Sequence, residues 1–255
     1  MRECYIIAEA GSCHDGSADR AFELICIAAE CGANAVKFQY WSDSKALAMA
    51  RHDATLEAFY EPYRMPRAWL KTLAVEADRR QLDFLCTVYL IQDIQYVAPL
   101  VAQFKIASPD ALNLPFITAH RQYEKKIIVS VGMLTEEELY EVSTEYTRLH
   151  CVSAYPCPLE QVNLGAIRQY DLDGFSDHTG DPCMGAWAYL AGANVLEVHM
   201  RAEDTKKTNP DYPHALSPPL LKAYIANVRQ AQEAWGSGIK ITQPAEAATR
   251  KYMAK

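Results

Sequence analysis

Short apolar runs alternate along the whole chain with longer segments in which apolar residues recur every three or four positions. The short runs are rich in β-branched and aromatic residues, which is typical of buried strands, and the longer segments have the periodicity of amphipathic helices. The apolar runs predict eight strands, at residues 4–10, 35–39, 83–88, 104–108, 126–132, 149–155, 174–178 and 195–200.

A helical segment follows each of these strands, and several of its boundaries carry recognisable signals. The first predicted helix, 18–31, ends before Gly32, a natural C-cap. Pro66 opens the helix at 66–80, and Thr135 with Glu138 has the spacing of a capping box. The remaining helices are expected near 91–99, after residue 115, up to about residue 170, at 183–191 and at 218–235, and the aromatic-rich connection from 40 to 65 is expected to contain short helices.

Strict alternation of eight strands and eight helices predicts right-handed βαβ units and a parallel sheet. Eight such units in 255 residues indicate an α/β fold of the (β/α)8 TIM-barrel type, with 1–255 as a single catalytic domain. A doubly wound open sheet is the alternative. That fold usually has a glycine-rich phosphate fingerprint after the first strand, and Gly11 with Gly16 does not match one.

Charge and cysteine content indicate which partners and which setting the protein has. The formal net charge is −7 and the sequence lacks a long basic run, which argues against nucleic acid as a partner. Eight scattered cysteines without a C-x-x-C pair favour a reducing, cytoplasmic setting. The sequence shows neither a secretory leader nor an apolar stretch long enough to span a bilayer, so we expect no membrane association.

The predicted strands end in polar or charged residues, although buried parallel strands are normally apolar throughout. A single charged residue in such a strand is often a paired core ion. Polar groups at all eight strand ends instead predict a polar basin at the C-terminal mouth of the barrel, where barrel enzymes carry their chemistry. The residues in question are Glu9, Lys37, Gln39, Thr87, Lys105, Ser108, Asp110, Ser130, Ser153, Tyr155, Ser176, Asp177, His178, Glu197 and His199.

Three kinds of chemistry follow from these side chains. Two lysines and three serine hydroxyls can hold a small dianion such as a phosphate ester. His178 and His199, on neighbouring strands, are close enough to share one Mn, Zn or Fe-type ion with open coordination sites. The carboxylates available for proton transfer are Glu9, Asp110 and Glu197, and the anion-holding groups are Lys37, Lys105, Ser108, Ser130 and Ser176.

Each assignment has a structural alternative. A histidine at a strand end is often a hydrogen-bonded structural residue, and Glu9 or Asp110 can simply neutralise a neighbouring lysine. His150 is expected to begin a strand and to have a structural role, whereas His14 lies on the active side and is ambiguous.

The motifs at these positions resemble the N-acetylneuraminate (sialic acid) synthase family. The resemblance covers nearly the whole chain in the right order. It rests on IAEAGSCHDG (7–16), GANAVKFQ (32–39), FLCT (84–87), FKIASPDALNLP (104–115), VSVGM (129–133), LHCVSAYPCP (149–158), GFSDHTG (174–180), LEVH (196–199) and, more loosely, NPDYPHALSP (209–218).

The resemblance implies a role for each matching residue. His178 and His199 would bind a divalent metal, Mn²⁺ in the first place, with Mg²⁺ or Co²⁺ as alternatives. Phosphoenolpyruvate would be held by Lys37, Thr87, Lys105, Ser108, Ser130, Ser153 and Ser176, and the sugar would face Glu9, Gln39, Asp110, Tyr155 and Asp211.

The implied reaction joins C3 of phosphoenolpyruvate to the aldehyde carbon of an open-chain aldose, with the metal polarising the aldehyde. Water then adds at C2 and the resulting intermediate expels inorganic phosphate, leaving a 2-keto-3-deoxy sugar acid. The partners implied are therefore these two small molecules, and the resemblance also implies a homodimer.

The sequence departs from the family pattern at several positions. Cys13 replaces an asparagine, Leu90 an acidic residue, Asp110 a glutamate and Val198 a lysine. We also expect the chain to lack the C-terminal antifreeze-like domain of typical members, which puts N-acetylmannosamine in doubt as the acceptor. After the eighth strand, a loop with Arg201, Lys206 and Lys207 either binds an anionic acceptor or is a solvated charged loop.

Two other functions remain open at this point. One is a metal-dependent aldolase or sugar-phosphate synthase that uses a different aldehyde. The other is a non-catalytic barrel that binds a metabolite, which the metal-type histidines and the two lysines make less attractive.

Overall fold

A computed structural model describes residues 3–253, and its centre is a set of eight parallel strands. Each strand is four to seven residues long. The strands are β1 (Tyr5–Gly11), β2 (Ala35–Tyr40), β3 (Asp83–Val88), β4 (Gln103–Ile106), β5 (Lys126–Ser130), β6 (Thr147–His150), β7 (Gly174–Asp177) and β8 (Val195–His199).

The strands follow one another around a ring, in the order β3-β2-β1-β8-β7-β6-β5-β4. β3 and β4, at the two ends of this order, lie next to each other and bring the barrel close to closure. The register places Glu9 of β1 opposite Lys37 of β2 on one side and opposite His199 of β8 on the other. The predicted (β/α)8 barrel is confirmed.

Helices connect the strands and cover the outside of the barrel. The first begins after Ser17, whose side chain accepts a hydrogen bond from the Arg20 N–H, and ends at Gly32 in the left-handed conformation, as predicted. The helices are α1 (Ala18–Cys31), α2 (Ser44–Ala50), α3 (Glu57–Tyr60), α4 (Arg67–Arg79), α5 (Ile94–Val97), α6 (Leu114–Arg121), α7 (Glu136–Leu139), α8 (Gly165–Gln169), α9 (Met184–Ala191) and α10 (Pro218–Trp235), with short 3₁₀ turns between some of them.

The alternation of side chains along each strand separates two apolar regions. Ile6 and Ala8 of β1 point outward into the large core between strands and helices, whereas Ile7 points into the barrel. The inner cluster consists of Ile7, Ala35, Leu85, Ile128 and Leu149. Two residues further along, the same inward-facing positions of the first two strands are Glu9 and Lys37. The base of the barrel is therefore apolar, and its C-terminal mouth is polar.

Some predicted boundaries were wrong. The sixth strand covers Thr147–His150 instead of 149–155, so His150 ends a strand, where its Nε2 lies 2.8 Å from the Val162 carbonyl oxygen. The helix expected at 91–99 is a four-residue helix between 3₁₀ turns. The capping box at Thr135 and Glu138 is confirmed, although the helix that it opens is only one turn long.

Two further features concern the chain as a whole. All eight cysteines are free thiols. Within residues 3–253, every helix is too short or too polar to cross a bilayer.

Candidate active site

The C-terminal ends of the strands surround a cavity of about 430 Å³. Twelve of the fifteen predicted site residues line it, and the other three, Thr87, Asp110 and Ser153, do not. The predicted residues that line the cavity are Glu9, Lys37, Gln39, Lys105, Ser108, Ser130, Tyr155, Ser176, His178, Glu197, His199 and Asp211.

Two lysines and two glutamates form a buried ion-pair network at the bottom of the cavity. Lys37 Nζ lies 2.7 Å from Glu9 Oε2 and 3.1 Å from Glu197 Oε1, and Lys105 Nζ lies 3.2 Å from Glu197 Oε2. Burial opposes ionisation of Glu197, but Lys105 and Lys37 hold its pKa well below the ordinary value. The four charges balance, so an incoming anion competes with the two carboxylates for the lysines.

Hydroxyl groups extend this network. Thr87 Oγ1 accepts a hydrogen bond of 3.1 Å from Lys37 Nζ, and Ser130 Oγ accepts one of 2.7 Å from Lys105 Nζ. Thr87 thus contacts the lysine, not the cavity, and orients the ammonium group from behind.

Three serines complete the polar wall. The hydroxyls of Ser108 and Ser153 lie 2.8 Å apart and share a hydrogen bond. Ser176 donates a hydrogen bond of 2.9 Å to Glu197 Oε2. Ser108 and Ser176 line the cavity, and Ser153 supports Ser108.

The two histidines predicted as metal ligands come together, with ring centroids 5.5 Å apart. His178 Nδ1 lies 2.6 Å from the Val152 carbonyl oxygen. Because a carbonyl only accepts hydrogen bonds, this contact assigns the proton to Nδ1 and leaves a lone pair on Nε2, which lies 3.5 Å from Ser176 Oγ.

A third histidine, which the sequence analysis did not single out, joins them. Atoms of His199, Asp211 and His214 that are able to bind a metal all lie within 4.8 Å of one another. His199 Nδ1 and both ring nitrogens of His214 are buried and lack a hydrogen-bond partner among the described residues. Buried, unpartnered imidazole nitrogens beside a carboxylate are the donor set that a divalent transition-metal ion takes, so the site fits such an ion.

The electrostatics of His178 and His214 agree with that fit. Burial and the neighbouring His199 lower the pKa of His178 to about 4 and that of His214 to about 3, so both rings are neutral near pH 7, the form that binds metals. Burial opposes protonation of His199, but its contact with Asp211 raises the pKa of His199, so a bound ion would take the place of the proton on this ring. Burial opposes ionisation of Asp211, but its contact with His199 holds the pKa of Asp211 well below the ordinary value. Asp211 is held in place by the Ser12 N–H at 2.8 Å and the Ser12 hydroxyl at 2.9 Å.

Asp110 has a different environment from the one expected for a proton-transfer group. Its two carboxylate oxygens accept hydrogen bonds of 3.0 and 2.6 Å from the Arg51 guanidinium. It is a charge partner of an arginine from the connection after β2, and it does not line the cavity.

Most departures from the family pattern lie outside the polar wall. Val198 belongs to the core between strands and helices, so the missing lysine does not remove a charge from the cavity. Leu90 packs with Trp41 and Leu47. Cys13 is buried, with its sulfur 3.8 Å from Asn209 Oδ1. The side chains of Arg201, Lys206 and Lys207 do not line the cavity.

Comparison with known families agrees with this geometry. Residues 24–240, most of the chain, match the NeuB family. The chain belongs to the NeuB family. Several of the relatives to which it is similar are legionaminic, N-acetylneuraminate-9-phosphate or pseudaminic acid synthases.

Individual NeuB-family relatives show how far the similarity extends. The N,N'-diacetyllegionaminic acid synthase of Campylobacter jejuni is 32% identical, over 96% of this chain and 81% of the relative. Human N-acetylneuraminate-9-phosphate synthase is 28% identical, over 99% of this chain and 77% of the relative. The crystal structure of N-acetylneuraminic acid synthetase from Leptospira borgpetersenii in complex with citrate superposes with a TM-score of 0.88 at 25% identity, covering 98% of this chain and 91% of that one.

Proposed function

We propose that this protein condenses phosphoenolpyruvate with an aldose, giving a 2-keto-3-deoxy sugar acid and inorganic phosphate, with Mn²⁺ as its metal. The observation that carries the proposal is the presence in one cavity of the Lys37–Lys105 network and of the imidazoles of His178, His199 and His214. The first suits an anionic donor and the second a carbonyl acceptor. Membership of the NeuB family supports the same reaction class.

The donor would bind at the lysines. Its phosphate replaces a carboxylate oxygen at Lys37 Nζ or Lys105 Nζ and accepts hydrogen bonds from Ser108, Ser130 or Ser176, all of which line the cavity. The lysines are already held in place by their present partners, so little side-chain freedom is lost on binding.

The acceptor carbonyl would lie at the histidine end of the cavity. A divalent cation bound there would supply a Lewis acid for the carbonyl oxygen. His178 and His199, with His214 and Asp211, would hold it, and the Val152 carbonyl fixes the tautomer of His178. Gln39, Tyr155 and Asp211 are the polar wall that the sugar hydroxyls would contact.

Bond formation joins C3 of the enol phosphate to the aldehyde carbon, and a water molecule adds at C2 before the C–O bond to phosphate breaks. The new hydroxyl gains a proton, the attacking water loses one, and the hydroxyl that water forms at C2 gives its remaining proton to the departing phosphate as the ketone forms. Of the three carboxylates that line the cavity, Asp211 lies at the histidines, so we assign these transfers to Glu9 and Glu197. We do not assign Asp110 such a role, because it does not line the cavity and its carboxylate is paired with Arg51.

The test is an acceptor screen with phosphoenolpyruvate and Mn²⁺, followed by release of inorganic phosphate with and without EDTA. Phosphate release should require an aldose and should stop with EDTA. Lys105→Met should reduce turnover by at least 100-fold, whereas Lys126→Met, an exposed residue at the other end of β5, should not. Phosphate release that does not depend on an acceptor, or binding of phosphoenolpyruvate without turnover of any aldose, would refute the proposal.

A further inference from the structure

A second cavity of about 240 Å³ adjoins the first and shares Gln39, Tyr89, Tyr155 and Asp211 with it. We call it the aromatic chamber and define it by Trp41, Leu47, Arg51, Tyr60 and Tyr63. These residues come from the connection between β2 and α4, which folds over one side of the barrel mouth. Because the two cavities have lining residues in common, they are adjacent, and the inference below takes a molecule bound in the first to reach the second.

The walls of the chamber are preformed aromatic surfaces. The ring of Trp41 meets those of Tyr60 and Tyr89 edge to face, with centroids 5.7 and 6.0 Å apart. Trp41 Nε1 donates a hydrogen bond of 3.1 Å to Ser44 Oγ, so the only polar atom of the indole side chain is satisfied inside the protein. Such a wall favours methyl, methylene and sugar C–H groups.

Charge in the chamber disfavours an anion. Of the described residues that line it, Arg51 alone is cationic, and its two terminal nitrogens are bound by the Asp110 carboxylate. The same guanidinium lies over the ring of Tyr89, 5.6 Å from its centroid. Asp211 adds a negative charge where the two cavities meet. A phosphate group here would find its one cationic neighbour already paired with Asp110, and a carboxylate nearby.

The basic loop after β8 does not supply the chamber with a further cation. Arg201 stacks on Tyr212, with its guanidinium carbon 4.3 Å from the ring centroid. The side chains of Arg201, Lys206 and Lys207 line neither of the two cavities. The expectation that this loop binds an anionic acceptor therefore has no support from the shape of the site.

We propose that the aromatic chamber binds the end of the acceptor farthest from its aldehyde, and that it selects an uncharged, apolar substituent there over a phosphate. The inference rests on the proposed function, because it takes the aldehyde end to lie at the histidines. It names the substrate class as a non-phosphorylated aldose with a deoxy or acylated distal end. Tyr60 and Trp41 are the residues that determine this specificity.

Three acceptors that differ only at C6 test the inference: N-acetylmannosamine, its 6-deoxy analogue and its 6-phosphate. Binding is measured by saturation-transfer NMR with Mn²⁺-loaded protein, and turnover by release of phosphate from phosphoenolpyruvate. We expect the 6-deoxy compound to bind about tenfold more tightly than the 6-hydroxy compound and at least about 100-fold more tightly than the 6-phosphate.

Two variants connect this ranking to the chamber. Tyr60→Ala should remove the preference for the 6-deoxy compound, whereas Tyr140→Ala, an exposed tyrosine on the outer surface, should keep it. Asp110→Asn leaves the Arg51 charge uncompensated and should raise relative affinity for the 6-phosphate by about tenfold. A gain of this kind cannot result from misfolding.

The outcomes separate the two proposals. An equal or reversed ranking, or no binding of any of the three compounds, overturns the role of the chamber. The expected ranking without any phosphate release supports the chamber and refutes the proposed reaction. Phosphate release with the 6-phosphate as the preferred acceptor supports the reaction and overturns the chamber's selectivity.

Discussion

The imidazole rings of His199 and His214 lie with their centroids 4.5 Å apart, and each has an oxygen of Asp211 nearby, 3.8 Å from His199 Nδ1 and 3.7 Å from His214 Nε2. These distances exceed hydrogen-bond length, so the three groups surround a space instead of bonding to one another. His214 therefore belongs to the proposed metal site as closely as the two histidines expected from the sequence.

Replacing His214 with asparagine should weaken Mn²⁺ binding by about 10- to 100-fold, because one neutral imidazole donor is lost. A titration of Mn²⁺ followed by electron paramagnetic resonance measures the affinity directly, without turnover. His52→Asn is the matched control, since His52 is exposed and has a positive φ of 58° that asparagine also tolerates. Unchanged Mn²⁺ affinity in the His214 variant would remove this residue from the site.

Replacing Lys37 with methionine should lower the free energy of unfolding by about 3–5 kcal/mol, because it leaves two buried carboxylates without their shared cation. Adding Glu9→Gln to this variant should recover part of the loss, since one uncompensated charge disappears. Phosphate release should be absent from both. Urea unfolding provides the comparison, and a double variant no more stable than the single one would show that the network is not electrostatically coupled.

Gly11→Ala should reduce Mn²⁺ affinity by about tenfold or more without changing any ligand. Gly11 has a φ of 49°, and a Cβ there would overlap Asp211 Oδ2, so the carboxylate must move. Gly238→Ala is the control, because Gly238 also has positive φ (74°) but has no described heavy atom within 4 Å of the added Cβ. Equal Mn²⁺ affinities in the two variants would mean that the position of Asp211 does not matter.

The free energy of unfolding should fall between pH 6.5 and pH 4 because of the buried imidazole of His14. Burial lowers its pKa to about 4, so in this window the unfolded chain takes up a proton that the folded protein does not, and stability is lost by up to about 1.4 kcal/mol per pH unit. The full contribution is present above pH 6.5. Buried His178 and His214 act in the same direction.

His14→Asn isolates this contribution. His14 Nδ1 accepts a hydrogen bond from the Gly16 N–H, and an asparagine oxygen can accept the same bond within an Asx turn. The variant should be less stable at pH 7, because the ring that packs against Trp69 is lost, but its unfolding free energy should fall less steeply between pH 6.5 and 4. Parallel pH profiles for the two proteins would contradict the assignment.

Local patterns predicted the elements best where the chain has a clear start or stop signal. The helix expected at 18–31 is Ala18–Cys31, with its caps at Ser17 and Gly32, and the strand expected at 83–88 is Asp83–Val88. The sixth strand was misplaced because the apolar run that was used to locate it continues beyond the hydrogen-bonded ladder, which ends at His150.

The candidate site was predictable where its residues lie at the ends of strands. Lys37, Lys105, Glu197 and His199 lie on strands, so the two-residue alternation directs them into the barrel. His214 lies in a loop with neither strand nor helix periodicity. Its position three residues after Asp211, in the NPDYPHALSP segment, was the one available signal.

The sequence by itself determined the barrel and the polar mouth, because both depend on the alternation of side chains within short segments. Only the tertiary structure decided that His214 joins the metal-type site, that Asp110 pairs with Arg51, and that aromatic residues from the β2–α4 connection form a second chamber. These contacts join distant parts of the chain, such as Ser12 and Asp211, 199 positions apart. No local sequence pattern predicts the conformation of the loops at the barrel mouth, because that conformation depends on packing against the folded barrel.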